Sequence, residues 1–73
     1  MVTSELANRL KELRAREGLT QAELAARVGV TRKTINTVEN RVFVPSTILA
    51  LKLAAALAVP VEEIFSLEPR GED

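Results

Sequence analysis

Two helix-start signals with a glycine between them are packed into "TQAELAARVGVTRKTINTVEN", residues 20 to 40. Thr20 followed by Glu23 is a capping box: the hydroxyl accepts from the N–H of residue 23 and the carboxylate from the N–H of residue 20. Thr31 is a second N-cap. Gly29 takes the left-handed conformation at no steric cost and so ends the first of the two helices. The stretch therefore predicts short helices over about 21–28 and 32–40 joined by a tight turn.

The flanking segments extend the same architecture. Leu6, Leu10 and Leu13 recur at helical spacing among charged residues, predicting an amphipathic helix over about 5–16 that Gly18 ends. "RVFVP", residues 41 to 45, reads as an extended connector whose Val42, Phe43 and Val44 cannot all face water. Ser46 caps a fourth helix over about 47–58, and Pro60 ends it and can sit in the first turn of a fifth, about 61–66. Glu62 and Glu63 then lie near the positive end of that last dipole. The expected fold is all-α, a compact five-helix domain over residues 1–68 with a frayed tail at 69–73.

Composition removes several classes of function. With no cysteine and no histidine, disulfides, thiolate metal sites and imidazole chemistry have no side chains to use, so no metal or other cofactor is expected. Paired-acid catalysis has no candidate either, since Glu62 and Glu63 are adjacent and point to different sides of a helix; the chain is not expected to be an enzyme. The N-terminal sixteen residues are too charged for a signal peptide, and the longest apolar run is broken by Lys52. A cytoplasmic, nucleoid-associated protein with no membrane partner and no small-molecule ligand is expected.

The net charge is zero, yet it is unevenly spread. Residues 1–41 carry eight basic and five acidic side chains and residues 42–73 two and five, so the halves are +3 and −3. Within residues 27–41, Arg27, Arg32, Lys33 and Arg41 stand against Glu39 alone. A patch of that kind steers an anion even on a neutral molecule.

Counted from Gln21, the fifth, ninth, fifteenth and eighteenth positions are Ala25, Gly29, Ile35 and Val38. Two helices crossing steeply need a small side chain at closest approach, which Ala25 provides, and a positive φ in the turn, which Gly29 provides. Ile35 and Val38 are expected to pack on Leu24 and Val28, which turns Arg32, Lys33, Asn36 and Thr37 outward. The B-form major groove admits one α-helix, and the second helix of such a unit places its N-terminal residues at base edges. Arg32 and Lys33 suit guanine O6 and N7, Asn36 suits adenine N6 and N7, and Thr34 and Thr37 can meet acceptors or a thymine methyl.

Residues 6 to 65 resemble the Xre/Cro-type family of small bacterial and phage repressors. The phrases that carry the resemblance are "LKELRAREGLTQAELAARVGVTR", "TINTVEN" and "ILALKLAAALAVPVEEIF". The resemblance implies a lambda-repressor-like five-helix fold, a double-stranded DNA operator as partner and regulation of transcription. It further implies that Gln21 holds a backbone phosphate and braces Arg32, and that Arg14 and Glu39 form a structural ion pair. Thr31, Asn40 and Arg41 complete the expected DNA-binding set, Thr31 being a cap first. Relatives usually place glycine where Arg41 stands, so Asn40 or Arg41 must adopt the left-handed cap at about 1 to 2 kcal/mol. Ala58 and Pro60 likewise replace a common Gly and Ser. With no ligand or protease domain among these residues, regulation is expected to act through concentration, the dimer or another protein.

"ILALKLAAALAV" has one charge in twelve residues, and a helix apolar on every side must be covered on every side. It is either a core helix with an alanine outer face or part of a patch that a second copy buries. The expectation favours a symmetric dimer through Leu49, Leu53, Leu57, Phe65 and Leu67, reading an inverted repeat as a repressor. The alternative is an antitoxin-like or adaptor protein that binds a protein partner through the same surface.

Overall fold

The computed structural model describes residues 5–68; the tail expected at 69–73 lies outside them. The order is β1 (Leu6–Asn8), α1 (Leu10–Arg16), α2 (Gln21–Val28), α3 (Arg32–Glu39), α4 (Thr47–Leu57), α5 (Val61–Ile64) and β2 (Phe65–Leu67). The five helices are those expected, and the all-α description is loosened by one antiparallel pair, with Leu6 opposite Leu67, Ala7 opposite Ser66 and Asn8 opposite Phe65.

That pair corrects two helix boundaries. The first helix begins at Leu10 rather than near residue 5, and the fifth ends at Ile64 rather than near 66. Leu6 keeps helical spacing to Leu10 but lies in β1. The Asn8 side chain helps set the break: its Oδ1 accepts from the N–H of Leu10 at 3.0 Å, and its Nδ2 donates to the carbonyl of Val38 at 2.9 Å. One asparagine thereby ties the strand to the start of α1 and the end of α3.

The capping signals act as expected. Thr20 Oγ1 accepts from the N–H of Glu23 at 3.0 Å while Glu23 Oε1 accepts from the N–H of Thr20 at 2.8 Å. Thr31 Oγ1 accepts from the N–H of Thr34 and Ser46 Oγ from that of Leu49. The first four helices all close with a left-handed residue, namely Gly18 (φ 71°), Gly29 (77°), Arg41 (63°) and Ala58 (56°). In each case the following N–H reaches back to a carbonyl of the last turn: Leu19 to Arg14, Val30 to Ala25, Val42 to Thr37 and Val59 to Ala54, at 2.9 to 3.1 Å. Asn40 has φ −89°, so Arg41 is the residue that takes the left-handed turn. Pro60 precedes α5 as its N-cap rather than lying in its first turn.

The core draws Leu10 and Leu13 from α1, Leu24, Ala25 and Val28 from α2, Ile35 and Val38 from α3, and Ile64 from α5, all around Leu49, Leu53, Ala54 and Leu57 of α4. Burial of each large aliphatic side chain contributes about 1.5 to 3 kcal/mol, and this packing fixes the angle between α2 and α3. It also corrects the expected dimer surface. Leu49, Leu53 and Leu57 lie on one face of α4, and that face points inward, leaving them 8%, 0% and 2% exposed. A helix apolar all round carries no periodicity to say which row is core. The large apolar residues of α4 that face outward are Ile48 and Leu51. Val42, Phe43 and Val44 correct another expectation, since all three are exposed in the single chain.

Candidate nucleic-acid interface

The platform is α2 and α3 joined through Gly29, with Ala25 buried where the helices meet and Ile35 and Val38 turned into the core. This packing leaves Arg32 and Lys33 exposed at the start of α3 and Asn36 and Thr37 half-exposed one turn on. Two cations at a helix N-terminus oppose its dipole, and the first turn of α3 has no acidic residue to offset them. An approaching anion would supply that offset.

Arg32 is held by a chain of bonds that starts in the interior. Arg14 Nε donates to Glu39 Oε2 at 2.7 Å and Arg14 Nη1 to the carbonyl of Leu19 at 2.8 Å. The Arg14 and Glu39 side chains are 14% and 3% exposed, so this pair is screened far less than a surface one. Glu39 Oε1 accepts from Gln21 Nε2 at 3.0 Å, which turns Gln21 Oε1 toward Arg32 Nη1 at 3.2 Å. Gln21 therefore braces Arg32 while standing at the N-terminus of α2, where free N–H groups favour a phosphate.

The remaining expected residues divide into two groups. Thr31 and Thr34 share a hydroxyl–hydroxyl bond of 3.1 Å, Thr37 Oγ1 donates to the carbonyl of Thr34 at 2.9 Å, and Asn40 Nδ2 donates to Asn36 Oδ1 at 3.2 Å. These polar groups share one outward surface with Lys33. Arg41 does not join them directly: its Nη2 donates to Glu68 Oε1 at 2.6 Å and its Nη1 to Glu68 Oε2 at 3.2 Å. The Arg41 hydrogen bonds, then its charge, hold the Glu68 carboxyl below the usual carboxylate range. The N–H and hydroxyl of Thr20 do the same for Glu23. Arg27 is exposed on the far part of α2, as a solvated side chain would be.

Sequence reading missed Asn8, Glu68 and the position of Val42 and Phe43 beside α3. Asparagine two residues before a helix is a recognisable Asx signal and could have marked Asn8. Glu68 has no such signal, because its partner is 27 residues away. Among the described residues no group of acids could hold a metal ion, and no helix is long and apolar enough to cross a membrane.

A short helix, a glycine turn and a second helix with a cationic exposed tip define a DNA-binding helix-turn-helix domain. The helix-turn-helix family model matches residues 10–64, and the chain belongs to this family of Xre-type transcriptional regulators. It is 46% identical over 63 residues to the HTH-type transcriptional regulator YgzD of Bacillus subtilis, covering 86% of this chain and 96% of that one. An HTH-type transcriptional regulator of Methanothermobacter thermautotrophicus is 49% identical over 63 residues, covering 85% and 91%. Among solved structures, the restriction-modification controller protein C.AhdI of Aeromonas hydrophila superposes with a TM-score of 0.72 at 40% identity, covering 75% of this chain and 83% of that one. SinR, a master regulator for biofilm formation solved in complex with DNA, gives 0.69 at 31% identity, covering 74% and 87%.

Proposed function

We propose that the chain is a homodimeric, cytoplasmic repressor whose two α3 helices enter successive major grooves about 34 Å apart and read an inverted repeat. The observation that carries this is the bonded series from Arg14 through Glu39 and Gln21 to Arg32, which fixes a base-reading cation from the interior outward. Arg32, Lys33 and Asn36 read base edges in this account. Gln21, Thr31, Thr34, Thr37 and Asn40 hold phosphates or flank the bases, and Arg41 reaches a phosphate only by leaving Glu68. That SinR was solved with DNA supports the general arrangement.

The dimer surface in this account is the groove whose apolar lining is Leu6, Pro45, Ala50, Leu51, Val61 and Phe65, with Ser46 and Thr47 beside them, and it retains Phe65 from the expected set. Leu67, from the same expected set, is 74% exposed and pairs with Leu6 across the strands. Burying such a surface against a second copy removes apolar area from water and sets the separation of the reading helices.

Selection of bound fragments from a random duplex pool tests the proposal, because it returns the half-site and its spacing together. Two inverted half-sites a helical turn apart are expected. With about six phosphates neutralised per dimer, affinity should fall on the order of a thousandfold between about 50 and 200 mM salt. Arg32→Ala or Lys33→Ala should cost about 1 to 3 kcal/mol at particular base pairs only, measured by repeating the selection with each variant. A flat salt response or unselected fragments would overturn the reading.

A further inference from the structure

Beside the outward face of α3 lies a shallow cleft lined by Thr31, Lys33, Thr34, Thr37, Val42 and Phe43. The three threonine hydroxyls are already engaged: Thr31 and Thr34 bond each other, and Thr37 donates to the carbonyl of Thr34. Their methyls are therefore what they chiefly have left for a ligand. Across the cleft stand Val42 and Phe43, 69% and 46% exposed. Both are held in place, since their N–H groups donate to the carbonyl of Thr37 at 2.9 and 3.2 Å just after the left-handed turn at Arg41. An apolar slot is thus built against the helix that carries Lys33.

We propose that this slot takes the C5-methyl group of a thymine next to the base pair that Lys33 reads, with Phe43 as a specificity-determining residue. The inference rests on the DNA-binding reading above and deepens it. At the major-groove edge of a base pair, the thymine methyl is the apolar group on offer. The slot adjoins the cationic tip, so a duplex seated on α3 brings base edges to it. The Val42 and Phe43 wall of the cleft offers no side-chain donor to a phosphate, whereas a methyl group gains apolar contact there. Phe43 and Val42 then favour A·T over G·C at one position of each half-site without a hydrogen bond.

The test uses the duplex recovered by selection with the wild-type chain, with each thymine replaced in turn by deoxyuridine, which removes the methyl and leaves the hydrogen bonds. One position per half-site should weaken wild-type binding about three- to fourfold, the value of one buried methyl. Phe43→Ala, and separately Val42→Ser, should bind more weakly and lose much of their response to that replacement. With a C·G pair at the same position, 5-methylcytosine should bind the wild type better than cytosine. Indifference to every deoxyuridine would overturn the slot and leave the DNA-binding reading standing. An undiminished response in both variants would overturn it equally. Absence of selective duplex binding by the wild-type chain would overturn the functional reading and the slot with it.

Discussion

Helices α1 and α2 end on glycine, while α3 and α4 end on arginine and alanine, yet the four share one left-handed turn and one pattern of returning N–H groups. The conformation is thus set by the carbonyls that need donors, and the residue occupying it answers to something else. At Gly18 and Gly29 no side chain competes with the turn. At Arg41 the side chain spans to Glu68 and anchors the loop that carries Val42 and Phe43. Ala58 is exposed, and nothing in the structure explains why alanine stands there.

This contrast can be broken by substitution. The largest effect is expected for Gly29→Ala, which puts a Cβ at φ 77°, farther from the left-handed minimum than the 56° of Ala58. It should destabilise by about 1 kcal/mol, strain less the lower freedom of an unfolded alanine. No atom lies within 4 Å of the added Cβ, so the loss is one of backbone conformation alone. Urea denaturation measures it, and an unchanged midpoint would show that the turn tolerates any residue. Ala58→Gly should act in the opposite direction. Release of left-handed strain less the greater freedom of an unfolded glycine leaves a gain of about 0.5 to 1 kcal/mol, visible as a rise in thermal midpoint.

A finer comparison separates strain from anchorage at Arg41. Arg41→Gly should raise the thermal midpoint less than Ala58→Gly does, because it also removes the pair with Glu68. In a Glu68→Gln background the difference between the two glycine substitutions should shrink. Acid should have the smallest effect and the same sense. Because the Glu68 carboxyl titrates below its unfolded value, the stability it contributes is complete above the ordinary carboxylate range and is lost as pH falls through the lowered value. As pH falls through that range the wild type alone loses the pair, so the margin by which the thermal midpoint of Arg41→Gly exceeds that of the wild type should grow.

What was legible in the sequence was local. The capping box at Thr20 and Glu23, the caps at Thr31 and Ser46, and the glycine turn each depend on residues a few positions apart, and they place α2, α3 and the start of α4. The outward set on α3 followed from Ile35 and Val38 pointing inward. What was not legible depends on distant partners. Three-residue strands at opposite ends of the domain have no periodicity long enough to read, so Leu6 passed for a helical residue. On α4 every face is apolar, so only the packed structure distinguishes Leu53 inside from Leu51 outside. Arg41 reads as a phosphate ligand until its carboxylate neighbour is seen.

The β1–β2 ladder brings the carbonyl of Glu5 and the N–H of Glu68 to 2.8 Å. Glu5 and Glu68, the first and last described residues, are consequently neighbours, as in a clasped bracelet. A short peptide joining them would make a covalent ring without disturbing the helices, and new ends cut elsewhere would give a rearranged sequence order for the same shape.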